Sequence, residues 1–386
     1  MADVFEIAGI LIDHAQRVHP GEIAIIAYYG SHAKGTAFAT SDLDIFYVPD
    51  EGKAATLSSQ FVLDGLPYDF WPVSWKFLEE IADARSHRPW AVSASLLADA
   101  RVLYHRAQED LDRFNALQAQ VAALTRPESR AAMIGRALEE FKETLFQLGQ
   151  MRLAASDGDA ASLNWASWRF VNSAVNCLAL VNQTYFAKGW GANWRAVLQL
   201  RQKPDRLEEL VHAIVTPAGS DEALAAALAA ADRLAQDVRR ILREAQASTA
   251  EPATVREVFS DFYPGIFEYK QKVLAACDRG DILAAAYAAH QIQDDICQSM
   301  HKAEAGFYGA EFNLQGEYNR GYARAGFPDL LEPALRGDLD LLAQRVQQLD
   351  EHARVWLMGQ GVALNILQSS ADLQRFLAKR DPPTST

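Results

Sequence analysis

The sequence predicts an α+β chain, with mixed strands and helices over residues 1–107 followed by all-α bundles over residues 108–246 and 253–380. Three observations carry this reading. Two apolar runs of strand length, Ile23–Tyr29 and Leu43–Val48, lie early in the chain. A third pair, Phe61–Leu63 and Leu66–Trp71, flanks Asp64-Gly65, a dipeptide favoured in tight hairpins. After about Glu109 the pattern is helical throughout, and 386 residues exceed one ordinary core.

Taken in order, Phe5, Ala8, Leu11, Ile12, Ala15 and Val18 mark one face of a first helix that Pro20-Gly21 ends. The buried strand Ile23–Tyr29 leads through a Gly30-Ser31 turn to the strand that begins at Leu43 and stops at Pro49. A helix from Ser74 to about Asp83 and a short strand at Arg101–Tyr104 complete the first domain. Linkers are expected near Thr125–Pro127 and Ala245–Pro252, and the tail Lys379–Thr386 is expected to be disordered. Met151–Asp159 resembles Lys272–Asp281. That likeness leaves two readings open, a duplicated bundle and the chance similarity of Ala-rich helices.

The net charge of −13 and the pI near 5.2 argue against a nucleic-acid partner, because binding phosphodiesters requires a basic surface. They suit a neutral or cationic small molecule. Cys177, Cys277 and Cys297 form no metal or disulfide spacing and read as buried small hydrophobes in a reducing compartment. The amino terminus has acids where a signal peptide needs bases, and no apolar run approaches the ~20 residues that span a bilayer. A soluble, cytoplasmic protein with no membrane partner is expected.

Chemistry concentrates in the first domain. Asp42 and Asp44 stand two apart at the head of a strand, where alternate side chains share a face, so both carboxylates converge on one site with Leu43 turned to the core. Magnesium commonly takes only one or two protein carboxylates beside phosphate and water oxygens. Asp69, between Tyr68 and Phe70, is a third acid in an otherwise apolar strand, where a positive charge is needed to offset desolvation. The Gly30-Ser31 turn offers backbone N–H groups and a hydroxyl to phosphate, with Lys34 adding charge and Gly35 a second flexible point. Ser41 precedes the first acid.

The series G-S-x-x-x-G, S-D-x-D and a later strand acid resembles the polymerase β superfamily of nucleotidyltransferases, and in layout the kanamycin nucleotidyltransferase group of aminoglycoside-modifying enzymes. The resemblance is strong over about residues 23–73 and fainter to about residue 240. It implies a minimal nucleotidyltransferase domain, a mixed sheet with flanking helices, ahead of the bundles. It also implies that Gly30, Ser31, Lys34 and Ser41 bind the nucleotide and that Asp42, Asp44 and Asp69 bind Mg2+. The family's general base maps to Ala137–Thr144, leaving Glu139, Glu140 and Glu143 open and Lys142 as a phosphate contact. An ordinary solvated helix face would show the same run of charges.

The activity so implied is transfer of AMP from ATP, or of another nucleoside monophosphate, to a hydroxyl of a small polar acceptor such as an aminoglycoside. Protein AMPylation and an inactive binding scaffold are the alternatives. The family's site is shared across a dimer, so monomer and homodimer both stay open. Trp165, Trp168, Trp190 and Trp194 read as bundle core, as large aromatics usually are. Residues from about 252 onward have no counterpart in the resemblance.

Overall fold

The computed structural model describes residues 4–38, 41–85, 88–187, 191, 194–215, 221–251, 253–308 and 319–378; Trp190 and the tail 379–386 lie outside them. The chain forms two compact units, Met1–Thr249 and Ala250–Thr386.

The first unit begins with α1 (Val4–Val18), β1 (Ile23–Tyr29), α2 (Gly30–Lys34) and β2 (Leu43–Pro49). It continues through β3 (Ser59–Leu63), β4 (Leu66–Pro72), α3 (Trp75–Ala82), α4 (Trp90–Ala98) and β5 (Arg101–His105). The five strands form one mixed sheet in the order β3-β4-β2-β1-β5. β2 runs parallel to β4, and the other three pairings are antiparallel. The central strands are apolar on both faces: Ile23–Ala27 are buried, as are Leu43 and Ile45–Val48. The β3–β4 hairpin closes at Asp64-Gly65, with Leu63 paired to Leu66.

Two elements depart from the sequence reading. The Gly30-Ser31 turn is one turn of helix, α2, that follows β1 without a loop. Helix α4 carries no amphipathic signal because it is buried nearly all round: Trp90, Ala91 and Ser93–Leu97 are shielded. The Trp90 indole donates to the Ile81 carbonyl at 2.9 Å, which fastens α4 to α3.

The unit continues through α5 (Gln108–Leu124), α6 (Arg130–Ser156), α7 (Ala160–Val181), α8 (Trp194–Leu198), α9 (Leu207–Val215) and α10 (Asp221–Ala247). Helices α6 and α7 pack as a pair, and α10 lies against α6, α7 and α9. α7 meets α4 through Asn176, whose buried Oδ1 accepts from the Ala91 N–H at 2.9 Å.

The second unit contains α11 (Val255–Val258), α12 (Tyr263–Asp278), α13 (Ile282–Ala305), α14 (Asn319–Arg324), α15 (Leu331–Arg336), α16 (Leu339–Gly359) and α17 (Ser370–Ala378). Its core is built from α12, α13 and α16. Asp350 is buried there, and accepts from the Tyr263 hydroxyl at 2.8 Å and the Lys270 ammonium at 2.9 Å.

The likeness between Met151–Asp159 and Lys272–Asp281 has a local cause. In both, a glycine at φ +68° ends one helix and the next residue, Asp159 or Asp281, caps the following one. The aspartate N–H closes back on the carbonyl five residues earlier, Ala154 or Ala276, at 2.9 Å. The same turn occurs a third time at Gly337-Asp338, with Asp338 N–H to Pro333 at 3.0 Å. Left-handed glycine followed by an aspartate N-cap is a general solution for a tight helix–helix turn, so turn chemistry is enough to produce this similarity.

Trp165 and Trp168 are 58% and 46% exposed, contrary to the expectation that they are core. Leu163, Ala166, Phe170 and Val171 take the buried face of α7, leaving the tryptophans outside, with the Arg169 guanidinium 4.0 Å from the Trp165 ring. Trp194 is half-buried. Cys177 and Cys297 are buried as expected, while Cys277 is half-buried. No helix among the described residues is long and apolar enough to cross a membrane.

Candidate active site

The site begins where β1 turns into α2. Gly30 has φ +76°, and a Cβ placed there would overlap the Asp44 Oδ2 atom. Glycine is favoured here by the left-handed backbone, and any side chain would also have to push the Asp44 carboxylate aside. The short helix ends at Gly35, and the Thr36 N–H returns to the Ser31 carbonyl at 3.0 Å.

Strand pairing aligns the next residues. Tyr29 stands opposite Asp44 across the antiparallel β1–β2 ladder, and Asp44 stands beside Asp69 across the parallel β2–β4 ladder. In-register neighbours on adjacent strands project to the same face, about 4.8 Å apart, so Tyr29, Asp44 and Asp69 form a row across the sheet. Asp42 lies one residue before β2 and joins Asp44 on the wall of a cavity of about 700 Å³. Tyr29, Gly30, Ser31 and Trp71 share that wall.

The electrostatics are coherent with this row. Burial pushes the Tyr29 phenol up to about 12, and the charges of Asp44, Asp69 and Asp42 push in the same direction, against a hydrogen bond with Trp71. All three acids therefore act on one half-buried hydroxyl. Among the described residues no group of three or more His, Cys, Asp or Glu side chains is gathered into a ready metal cage. The donor set nevertheless fits a hard divalent cation that takes one or two protein carboxylates and completes its shell with phosphate and water oxygens. Asp42 and Asp44 would hold it, with Asp69 beside them.

Helix α6 supplies the second half. Glu140 and Glu143 line a cavity of about 440 Å³ together with Arg88, Pro89, Arg169 and Asn172. Arg88, Pro89 and Asn172 also line the larger cavity, so the two spaces adjoin. Burial, reinforced by the charge of Glu143, raises the Glu140 carboxyl from 4.5 to about 7, while a hydrogen bond from Asn176 works against the rise. Asn176 is held by the Ala91 N–H, so one buried amide ties Glu140 to the start of α4. Glu139 and Lys142 pair with each other at 3.0 Å on the solvent side, which leaves Lys142 away from the cavity. Glu143 is exposed and accepts from the Gln147 amide at 2.7 Å.

Two nucleotide-binding expectations meet other commitments. The Lys34 ammonium pairs with Asp99 at 3.1 Å and donates to the Ala187 carbonyl. It does not line either cavity. The Ser41 hydroxyl accepts from the Phe38 N–H at 2.9 Å and closes the loop that leads into β2. Ser31 is buried and lines the cavity beside Gly30, as the sequence suggests. Sequence reading missed Tyr29, Trp71, Phe77, Arg88, Asn172 and Asn176. A signal existed for the last two: amides four apart on an otherwise apolar helix face share one side of it.

Residues 111–248 match the KNTase C-terminal domain family. Among solved structures, a nucleotidyltransferase-like protein from Exiguobacterium sibiricum 255-15 is similar at 13% identity and a TM-score of 0.36, over 65% of this chain and 82% of that one. No curated protein matches the chain.

Two stability measurements follow from this geometry. Gly30→Ala should cost about 1–3 kcal/mol in chemical denaturation, and less in an Asp44→Gly background, where only backbone strain remains. Equal costs in both backgrounds would remove the overlap with Asp44 as a cause. For Glu140, the folded protein keeps its proton between pH 4.5 and 7 while the unfolded chain releases it, so stability falls as pH rises through that window. Glu140→Gln should abolish this fall, gaining about 1–3 kcal/mol over wild type above pH 7, read from denaturation at pH 5 and pH 8. A constant difference at both pH values would contradict the raised carboxyl.

Proposed function

We propose that this chain, whose residues 111–248 match the KNTase C-terminal domain family, is a kanamycin nucleotidyltransferase-like enzyme that transfers AMP from ATP to a hydroxyl of a small, polar, cationic acceptor, an aminoglycoside being the type. The observation that carries the reading is the adjoining pair of cavities, with Asp42 and Asp44 lining one and Glu140 and Glu143 lining the other. Nucleotidyl transfer needs both, a charged face for the triphosphate and a base for the acceptor.

Asp42 and Asp44, with Asp69 beside them, would hold magnesium. When bound, the metal supplies neutralisation of the triphosphate oxygens and of the charge that develops on the leaving group. Gly30 and Ser31 lie against the same space and offer the triphosphate a close backbone approach and a hydroxyl. Glu140 takes the proton from the acceptor hydroxyl. The acceptor's hydroxyl oxygen then forms a bond to the α-phosphorus as the bond from that phosphorus to pyrophosphate breaks, and pyrophosphate leaves with the electron pair. A carboxyl near 7 suits this task, because it is ionised above neutral pH and still basic enough to accept a proton. Glu140 is preferred to Glu143 because it is the more buried of the two and is held by Asn176. The four acids lining the joined cavities favour a cationic acceptor.

Incubation with ATP, magnesium and an aminoglycoside panel, read by mass spectrometry, should yield an AMP-modified drug and pyrophosphate. Asp42→Asn or Asp44→Asn should lower the rate by roughly a thousandfold, the equivalent of several kcal/mol of transition-state stabilisation. Label on protein in place of drug would redirect the reading to AMPylation. Nucleotide binding without any transfer, or full activity in either variant, would contradict it.

A further inference from the structure

The reading above leaves the transferred phosphoryl group without a protein cation, since Lys34 and Lys142, the residues that the sequence offers for phosphate, line neither cavity. Among the described residues lining the larger cavity, Arg88 carries the single positive side-chain charge, against Asp42 and Asp44. We infer that Arg88 is the phosphate-binding cation of this site and contacts the non-bridging oxygens of the α-phosphate during transfer; the inference rests on the nucleotidyl-transfer reading.

Position is the first support. Arg88 lines both cavities, the one bearing Asp42 and Asp44 and the one bearing Glu140 and Glu143. A phosphorus that is attacked by a hydroxyl deprotonated at Glu140, while its triphosphate rests against the aspartates, has to lie where the two spaces meet. Pro89 and Asn172 are the other residues common to both, and neither is charged.

Orientation is the second. The Arg88 guanidinium lies over the ring of Phe77 at 5.5 Å and over that of Trp71 at 6.0 Å. Both rings also line the larger cavity. Stacking on the faces of the guanidinium restrains a long side chain and fixes the plane in which its N–H groups lie. Pro89 follows directly and limits the backbone at Arg88 to extended conformations, which fixes the root of the side chain as well.

Chemistry is the third. As the acceptor oxygen bonds to phosphorus and pyrophosphate departs, charge spreads over the non-bridging oxygens, and a planar fork with two parallel donors matches that geometry. A lysine at the same place would keep the charge and lose the fork.

The test combines kinetics with 31P NMR on the full chain. Arg88→Gln should lower kcat about 100-fold, with KM for ATP and KM for the acceptor each within about threefold of wild type. Arg88→Lys should recover part of the loss. In the presence of magnesium and bound α,β-methylene-ATP, Arg88→Gln should move the α-phosphorus resonance and leave the γ resonance in place. An unchanged kcat, a loss confined to either KM, or an unmoved α resonance would overturn the inference while leaving nucleotidyl transfer intact. A wild type that binds no nucleotide would instead remove the reading on which the inference stands. Should Arg88→Gln fail to fold by circular dichroism, Arg88→Lys alone decides, with kcat and the α resonance both expected to differ from wild type.

Discussion

The absence of a side chain at Gly30 leaves room for the Asp44 carboxylate where it now sits, and the arrangement of the site follows from that. Any side chain at position 30 would displace the carboxylate that strand pairing sets beside Asp69 and opposite Tyr29. The left-handed backbone at Gly30 lets β1 pass straight into α2, which puts the Ser31 hydroxyl and the acid pair on one wall. Sheet order depends on the same arrangement. With β2 flanked by β1 on one side and by a parallel β4 on the other, the phenol and the two carboxylates fall into one row.

A site so rich in acid has an electrostatic consequence. The aspartates push the half-buried Tyr29 phenol in the same direction as burial does, and Glu143 does likewise to Glu140. Both shifts mark regions where negative charge is crowded and positive charge is in demand. That demand is the common thread of the proposal, which sets a divalent cation on the aspartates, a cationic acceptor near Glu140 and Arg88 between them. The bundle contributes more than a wall, since Asn176 links Glu140 on α6 to the backbone of α4 and so couples the proposed base to the segment that carries Arg88.

Much of the first unit was legible in the sequence because its signals are local. Apolar runs gave the strands, Asp64-Gly65 the hairpin, and the spacing of Asp42 and Asp44 their common side. What was hidden depends on tertiary context. Helix α4 is buried all round and so carries no periodic signal, and Lys34 has the right charge and spacing for phosphate but meets Asp99, which is distant in sequence. Arg88 and Asn172 reach the site from separate elements, and no spacing rule joins them to Asp42. The run Glu139–Glu143 fixed a helix but not its rotation, and only packing separates Glu140, turned inward, from Glu139 and Lys142 in solvent. The repeated Gly-Asp turn shows that a local capping solution is enough to make distant segments look alike.

The account turns on whether Asp42 and Asp44 grip a divalent cation together with a nucleotide. Titration of Mn2+ into the protein, followed by electron paramagnetic resonance with and without α,β-methylene-ATP, measures this directly. The account requires Mn2+ binding that is strengthened by the nucleotide and lost in both Asp42→Asn and Asp44→Asn. Binding of equal strength in wild type and in both variants would contradict it.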